Sequence, residues 1–543
     1  MKRTAKLVSL ILALVLVVAL FAGCGGGQQQ PQQQDAPKPA ESTPTPQGND
    51  QQTIISGGHE TTEETKYADD LTLGITDVGP VYNPLNPASQ GGALSYALCM
   101  MYDQLLRREI GGGYGPELAT EWAPNEDYTA WTLKLRDDVY FHNGEHFTAD
   151  DVKFTVEISQ TTPGAVGQTK WNPIESVEVL GDYECILHTK NKNVDLEDTL
   201  ASFNCVIFNR EAYDKDPDTG AQIGSGPWKL SEFKPNATFT MVANDDYWGE
   251  KAMAKTFTMK SVLEQTAMAI MFENGELDWA QASAQNLAAY EANPELEVDS
   301  FTTINTTYIA FNQNTEYGSD INFRKAVLYA VNRQDYNDIT VQGTGHTWEM
   351  GTYWGNGTMY QKNIPAPAQD LDKAKEFLAQ SSYSAGKPVK LWTTSALGVS
   401  NAQVLQQQLA AIGVEVEIQE GDNASFGAST GWGSMIYDLM TFGGPWGMLA
   451  TSCSFTLQTG ALGNKAQYSN PRVDELIALG EGTPNGPERE AIYYEIQDIV
   501  AEDIPYIGLF NIRNFIGRHA NCGGSIIWPD SVVDYSYAYK IIE

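Results

Sequence analysis

One segment in the second half of the chain joins a helix to a strand through a single glycine. Residues Val404–Ile412 carry apolar side chains at helical spacing, and Gly413 follows where a helix ends most readily. Residues Val414–Gln419 then alternate apolar and polar side chains, which is typical of a half-buried strand. Such a helix–Gly–strand unit is an α/β building block and favours a sheet that is covered by helices. The chain is therefore predicted to have an α/β fold.

Other segments carry one or the other of these two patterns. Alternating apolar residues predict strands at Leu71–Ile75, Trp131–Leu135 and, after Pro505, Ile507–Phe510. Apolar residues spaced by three and four predict helices over Asp320–Tyr336, over Asp370–Gln380 and from Pro487 to Val500, and Thr148 is expected to cap a further helix. Strands and helices thus mix along the whole chain without a fixed repeat.

The N-terminus has the composition of an export signal. A basic opening precedes the run Leu7–Phe21, which is apolar except for Ser9 and shorter than the roughly 20 residues that span a bilayer. Ala22 and Gly23 then stand before Cys24, and this ending resembles a bacterial lipoprotein signal, in which the cysteine carries lipid and becomes the new N-terminus. The alternative is an ordinary secretory peptide with an incidental cysteine.

The composition limits what the remaining chain can do. About 520 residues exceed a single core and favour two or three domains. Residues 24–66 are rich in Gln, Pro, Thr and Gly, so we expect a disordered tether, and no later run is apolar enough to span a membrane. The net charge of −35 disfavours nucleic acid as a partner. We therefore expect a soluble body on a membrane anchor.

The cysteines and histidines give no clear metal site. Beyond Cys24 there are five scattered cysteines without a CxxC pair, which we expect to be mostly small buried residues; Cys185 with Cys205 is a weak candidate for a disulfide. His142 and His146 are four apart, but Asn143-Gly144 between them predicts a turn rather than a metal-binding helix. No nucleophile elbow or distinct carboxylate pair marks a catalytic centre. We expect neither a bound metal nor a cofactor.

Eleven short segments, taken in order, resemble the large solute-binding proteins of ABC importers, in their peptide- and nickel-binding class (family 5). They are Leu118–Trp122, Trp131–Asp137, Phe141–Gly144, Phe147–Val152, Gly224–Trp228, Asn244–Gly249, Asn274–Asp278, Tyr308–Asn312, Phe323–Ala326, Ala330–Arg333 and Tyr468–Asp474. The resemblance implies a periplasmic-binding-protein fold of class II type, with two lobes, a discontinuous lobe I and a ligand cleft between the lobes.

The resemblance also implies domain limits. Residues 1–23 would be the signal and 24–66 the tether; lobe I would comprise 67–310 and 510–543, and lobe II 311–509. The two segments that cross between the lobes would lie near Tyr308–Asn312 and Ile507–Asn511. Hinge closure around a ligand is the motion expected of such receptors.

The segment Tyr437–Met448 is the most informative about the ligand. Peptide-binding relatives place an Asp just after a Trp here, where it pairs with the ligand's α-amino group; in this chain Gly447 follows Trp446. Nickel-binding relatives resemble G-x-P-W-D-P-H, and this chain lacks that Asp, Pro and His. Asp438 matches an earlier acid of the motif that we expect to be structural. Ordinary linear peptides and nickel chelates are therefore both put in doubt.

Further ligand contacts are expected from loops rich in aromatic residues. The resemblance places Tyr82 and Asn83 in a loop that reaches the ligand, and a second loop after the lobe II helix contains three aromatic residues and one acid. These aromatic residues could equally pin that loop to lobe II. The candidate ligand-binding residues are Tyr82, Asn83, Trp348, Glu349, Tyr353, Trp354, Phe442 and Trp446.

These observations predict a monomeric, non-enzymatic receptor that is lipid-anchored to the extracytoplasmic face of the cell membrane. It would deliver a small solute, above all a peptide or modified peptide, to an ABC permease and its ATPase. A nickel chelate or another small solute on the same fold is the first alternative. A tethered surface hydrolase, or a signalling or chaperone-like receptor, would belong to another functional class.

Overall fold

A mixed sheet of eleven strands runs through the part of the protein that the computed structural model describes. The described residues are 53–59, 64–86, 89, 92–110, 112–347, 360–362, 364–421, 437–445, 449–461 and 463–542. The expected export signal, with Cys24, lies outside them.

The strands in these ranges are numbered in chain order. They are β1 Ile54–Ile55, β2 Lys66–Tyr67, β3 Asp70–Ile75, β4 Leu106–Arg108, β5 Tyr114–Pro116, β6 Ala119–Pro124, β7 Ala130–Leu135, β8 Ile174–Gly181, β9 Glu184–Thr189, β10 Trp228–Lys234, β11 Thr238–Ala243, β12 Thr256–Ser261, β13 Trp279–Ala282, β14 Leu296–Phe311, β15 His346–Thr347, β16 Val389–Thr393, β17 Val416–Glu420, β18 Leu439–Pro445, β19 Tyr506–His519, β20 Cys522–Gly523, β21 Ile526–Ile527, β22 Val533–Asp534 and β23 Tyr539–Ile542.

The helices are numbered in the same way. They are α1 Gly92–Met101, α2 Ala149–Thr161, α3 Gln168–Trp171, α4 Leu196–Leu200, α5 Arg210–Lys215, α6 Pro217–Gly220, α7 Gln265–Glu273, α8 Leu287–Glu291, α9 Glu316–Ser319, α10 Ile321–Ala330, α11 Arg333–Thr340, α12 Leu371–Leu378, α13 Ser395–Ala410, α14 Leu449–Thr456, α15 Pro471–Glu481 and α16 Pro487–Asp503. None of these described helices has the length and apolar character that crossing a bilayer requires.

Two unusually long strands form the middle of the large sheet. The strand order is β10-β11-β12-β3-β13-β19-β14-β18-β16-β17, with β15 also paired to β19. β14 has 16 residues and β19 has 14, and they pair antiparallel along most of their length. The strands β12, β3 and β13 are parallel to one another on one side of this pair, and β16, β17 and β18 are parallel on the other side.

The smaller sheets lie beside the first group of strands. β6, β7, β9 and β8 form a four-stranded antiparallel sheet, and β4 pairs with β5. The N-terminal strands pair with the C-terminal end of the chain: β1 joins β21 and β22, while β2 joins β23 and β20. Both ends of the described chain are therefore fixed in the same region.

The buried apolar residues separate into two groups along the chain. Three clusters draw on residues between Leu71 and Phe301 together with residues from Ile516 to Ala538. Two further clusters draw on residues between Tyr308 and Phe510. We call these groups the first core and the second core. The long strands β14 and β19 contribute residues to both cores, so they join them.

Local sequence signals explain several elements. The Thr148 side chain and the N3 residue Asp151 form a capping box at the start of α2, which confirms the expected cap. A Cβ atom on Gly74 of β3 would lie 2.6 Å from Leu277 Cδ1, in the turn after α7, and 3.4 Å from Met268 Cγ of α7, so a larger residue would displace the Leu277 side chain. The predicted helix–Gly–strand unit is present as α13, Gly413 with a φ of +87°, and β17.

The helix predicted over Asp320–Tyr336 is wrong as a single element. The structure has α10 and α11 there, because Val331 is extended and the Asn332 side chain accepts a hydrogen bond from Gln334 N. An asparagine that caps a new helix ends the previous one, although the apolar spacing continues across the break. The weakly favoured Cys185–Cys205 disulfide is also absent: both side chains are free buried thiols.

A buried carboxylate of α4 joins this helix to β4 and to α3. Asp198 of α4 accepts hydrogen bonds from Arg108 Nη2 at 2.8 Å and from Lys170 Nζ at 3.0 Å. Burial raises the pKa of Asp198, but the two cations lower it by more, so its pKa lies below the ordinary value. Because the folded pKa is depressed, this contribution to stability is present above the unfolded pKa of about 4 and is lost as the pH falls.

We predict that Asp198→Asn lowers the free energy of unfolding by about 2 kcal/mol at pH 7, because it leaves two cations without their buried counter-charge. The difference from the wild type should shrink as the pH falls below about 4. Urea denaturation at several pH values measures both effects. The control is Glu121→Gln, which breaks the exposed ion pair with Lys134 and should change stability by less than about 0.5 kcal/mol. Equal stability of the wild type and Asp198→Asn would contradict the assignment.

Candidate functional site

The register of the ladder between β14 and β19 shifts at two places, and the larger shift lies between Thr302 and Thr306. β14 pairs with β19 from Leu296 to Thr302 and again from Thr306 to Ala310. Between these stretches the register shifts, and residues 303–305 and Ile512 have no ladder partners across the two strands. We call this interruption the crossing. It lies where the chain passes between the first core and the second core.

One buried amide spans the crossing. Asn511 Nδ2 donates to Thr303 O at 3.2 Å, to Asn305 O at 3.4 Å and to Thr306 Oγ1 at 3.1 Å. In return, Thr303 Oγ1 donates to Ile512 O at 2.9 Å. The side chains of Asn511, Thr303 and Thr306 are buried. These bonds supply partners to carbonyl groups that the interrupted ladder leaves without them.

The parallel strands of the first core end toward the crossing. β13 runs from Trp279, opposite Arg518, to Ala282, opposite Phe515, so its carboxyl end lies on the side of Ile512. β3 and β12 run in the same direction as β13. Polar side chains gather at this edge: Gln281 Oε1 accepts from Thr76 N at 3.0 Å and from Thr76 Oγ1 at 3.2 Å.

The parallel strands of the second core end toward the crossing from the opposite side. β18 runs from Leu439, opposite Phe311, to Pro445, opposite Asn305, and β16 runs parallel to it. Thr441 Oγ1 of β18 donates to Gly398 O in α13 at 3.3 Å. Trp392, the penultimate residue of β16, is buried, and its Nε1 has no hydrogen-bond partner within the described ranges.

The carboxyl ends of two sets of parallel strands thus face one crossing. In open α/β sheets, ligands bind at such carboxyl ends. Several buried polar atoms of the crossing and the second core have no partner among the described residues: Asn511 Oδ1, Thr307 Oγ1, Trp392 Nε1 and Asn401 Oδ1. Buried polar groups are normally hydrogen-bonded. The space between the two edges is therefore the candidate ligand site.

Comparison with known proteins identifies the family. The family model described as "Bacterial extracellular solute-binding proteins, family 5 Middle" matches residues 113–458, which is more than half of the chain. The chain belongs to this family. The α/β, two-lobe fold expected from the sequence is confirmed, whereas the limits of the lobes at 67–310 with 510–543 and at 311–509 stay a prediction.

Individual relatives cover most of this family 5 solute-binding protein. It is 27% identical to a nickel-binding periplasmic protein of Escherichia coli, over 81% of this chain and 90% of that protein. It is 26% identical to the oligopeptide-binding protein AppA of Bacillus subtilis, over 73% of this chain and 78% of that one. The structure of the periplasmic binding protein DppA of Helicobacter pylori with the peptide STSA superposes with a TM-score of 0.73, at 22% identity, covering 88% of this chain and 99% of that one.

Two of the predicted ligand residues are Tyr82, which packs in the first core, and Asn83 beside it. Tyr82 is buried and packs edge-on against Phe239, with a centroid distance of 4.6 Å, and its hydroxyl lies 3.4 Å from Tyr102 Oη. Asn83 Oδ1 accepts from Leu85 N at 2.9 Å and so shapes its own loop. These contacts give both residues a structural role in the solute-binding protein. Their contact with a ligand stays a prediction.

Of the other predicted residues, Phe442 is described, and it lies opposite Tyr308 of β14. Phe442 is half-buried in β18 and contacts Tyr308 with a centroid distance of 6.2 Å. Trp348, Glu349, Tyr353, Trp354 and Trp446 lie outside the described residues. The described chain stops before them at Thr347, opposite Phe510 of β19, and at Pro445, opposite Asn305 of β14.

Sequence reasoning missed the residues that define the crossing. Asn511 was predicted only as the end of a crossing segment, and Gln281, Thr303 and Trp392 were not singled out. The available signal was a lone amide directly after the apolar strand Ile507–Phe510. A buried strand rarely contains an amide without a specific partner.

His142 and His146 of the solute-binding protein have structural partners. Burial lowers the pKa of His142 to about 4, so the ring is neutral; Nε2 donates to Gly226 O at 3.1 Å and Nδ1 accepts from Gly224 N at 3.3 Å. His146 bonds Asp137 O and the Tyr183 hydroxyl. Within the described ranges, no group of three or more His, Cys, Asp or Glu side chains could hold a metal ion.

We predict that Asn511→Ala lowers the free energy of unfolding by about 2 kcal/mol, because it leaves buried carbonyl groups of the crossing without donors. Thermal unfolding followed by circular dichroism measures the loss. Asn521→Ala is the matched control, since the Asn521 amide donates to Ile541 O at an exposed site and its removal should change little. If both variants unfold at the wild-type temperature, the Asn511 bonds do not support the crossing.

Proposed function

We propose that this protein is the lipid-anchored substrate-binding component of an ABC importer and that its solute is a peptide or a modified peptide. The observation that carries the proposal is the site in which two carboxyl-terminal strand edges face one crossing. A solute held there touches both lobes, so its binding favours the closed arrangement of the hinge.

The relatives support a peptide as the ligand class. Their names include an oligopeptide-binding protein, di/tripeptide-binding proteins and glutathione-binding proteins, all of which take peptide-like ligands. The described part of the site offers buried, uncharged donors and acceptors such as Trp392 Nε1 and Asn401 Oδ1. Peptide bonds present alternating acceptors and donors, which suit such groups.

The sequence after β18 narrows this class further. Gly447 stands where peptide-binding relatives are expected to place the Asp that pairs with an α-amino group. Without that Asp, a free α-amino group would lack, at this position, the counter-charge that offsets its expensive desolvation. The favoured ligand is therefore a peptide whose N-terminus is modified or otherwise uncharged.

A nickel chelate is the second candidate, because the relative with 27% identity is a nickel-binding protein. Leu449 opens α14 at the position where nickel-binding relatives are expected to have a histidine. A leucine cannot ligate a metal, so a chelate would have to be recognised through its organic part.

The anchor places the receptor next to its transporter. Lipid on Cys24 would hold the protein on the extracytoplasmic face of the cell membrane, and the tether 24–66 would keep it within reach of the permease and its ATPase. Two or more acyl chains give stable anchoring. The receptor would act as a monomer that presents one solute at a time.

We predict that N-acetylated short peptides raise the melting temperature of the purified protein more than the same peptides with a free N-terminus. Saturation at about 100 times the Kd should add about 2.7 kcal/mol to the free energy of unfolding. Thermal shift assays of matched peptide pairs test this, with a nickel chelate as a third sample. Stabilisation by the chelate alone would overturn the peptide proposal, and hydrolysis of the peptides would favour the surface hydrolase.

We predict that Trp446→Ala weakens the binding of a stabilising peptide by at least about tenfold, because aromatic side chains dominate contact energy in such sites. Calorimetry gives the affinity, and circular dichroism checks the fold. Trp122→Ala is the control: this indole, in β6 of the four-stranded sheet, donates to Glu197 of α4 away from the crossing, so the affinity should not change. An unchanged affinity for Trp446→Ala would show that Trp446 only packs.

A further inference from the structure

An ion pair joins the two lobes away from the crossing. Arg489 of α16 and Asp195, just before α4, are 294 positions apart in the chain. Arg489 Nη1 donates to Asp195 Oδ1 at 2.5 Å, and Nη2 donates to Asp195 Oδ2. Two parallel bonds between a guanidinium and a carboxylate are the strongest form of such a pair and fix its geometry.

The two partners differ in burial. The Arg489 side chain is only 3% exposed, whereas that of Asp195 is 24% exposed. Arg489 Nε is buried without a partner among the described residues. A buried cation without its counter-charge is strongly unfavourable, so Arg489 depends on Asp195 for neutralisation.

Lobe II holds Arg489 in place for this contact. Asn485 Oδ1 accepts from Arg489 Nη1 at 2.7 Å and from the Tyr360 hydroxyl at 3.2 Å. The guanidinium also lies over the Tyr493 ring, 5.7 Å from its centroid. The arginine is therefore oriented by residues of its own lobe, and little side-chain freedom is lost when Asp195 meets it.

The pair connects the two cores. Leu196 and Leu200, next to Asp195, pack in a cluster of the first core. Ile492, Tyr493 and Ile496, on the same helix as Arg489, pack in a cluster of the second core. The segments near the two partners are also close to each other. A Cβ atom on Gly482 would lie 3.6 Å from Lys192 Cδ. Movement of one core away from the other would have to break the Arg489–Asp195 bonds.

We propose that Arg489 and Asp195 form a latch that holds the two lobes closed and thereby sets how long a captured solute stays bound. Both are positioning residues, since they act on the solute through lobe closure. This inference rests on the proposed function for the solute, but the closure itself is measurable without any solute.

The experiment measures the distance between the lobes in the full chain, freed of bound solute by unfolding and refolding. Spin labels are placed at two exposed positions, Glu175 of β8 and Ala478 of α15, through unnatural amino acids so that no cysteine is changed. Electron paramagnetic resonance then gives the distance distribution. We expect Asp195→Asn and Arg489→Met to raise the population at longer distances at least threefold.

Two further variants distinguish loss of the latch from a general loss of stability. Glu495→Gln removes the ion pair with Arg472 between α15 and α16, within lobe II, and should leave the distances unchanged. The charge swap Asp195→Arg with Arg489→Asp should restore the wild-type distribution. Unchanged distances in Asp195→Asn and Arg489→Met, whatever their melting temperatures, would overturn the latch.

A kinetic measurement tests whether the latch controls how long the solute stays bound. Dissociation of a fluorescently labelled N-acetylated tripeptide should be at least tenfold faster from Asp195→Asn than from the wild type, with a smaller change in the association rate. Absence of binding to the wild type would count against the proposed function and leave the distance result standing. Longer distances with an unchanged dissociation rate would overturn the role of the latch in solute retention.

Discussion

The pairing of β14 with β19 is the interaction on which the rest of the structure depends. These two strands are long enough to take part in both cores, and the parallel strands of each core are added outward from them. A continuous ladder would join the two cores rigidly. The interruption at residues 303–305 removes several ladder bonds at one level, and the Asn511 amide replaces them with side-chain bonds. Side-chain bonds of this kind tolerate rotation better than a regular ladder.

Much of the fold could be predicted from local patterns. The helix–Gly–strand unit, the capped helix after Thr148 and the strand that begins near Ile507 are each determined by residues within a dozen positions. The break between α10 and α11 escaped detection because the apolar spacing continues through Asn332, whose side chain stops one helix by starting the next. Hydrophobic periodicity records which face is buried, and it does not record where the backbone turns.

The site was harder to predict than the fold. Asn511 is recognisable as a lone amide after an apolar strand, but its partners lie more than 200 positions earlier, and no local pattern names them. Gln281 and Trp392 lie near the site because their strands end toward the crossing. A local sequence pattern does not show in which direction a strand runs within the sheet. Arg489 is equally inconspicuous: it stands among charged residues on a helix, and only the folded chain shows that it is buried against Asp195.

The pairing of the chain ends would have a mechanical consequence under the proposed anchor at the N-terminus. A pull that enters the described chain at Thr53 reaches β1 and β2 first, and these strands are bonded to β21 and β23 near the C-terminus. Such antiparallel partners share the force with the first core before it can reach the crossing. From there the described chain enters the second core along β14 and leaves it along β19, so tension from an anchor would reach the hinge only after these paired ends.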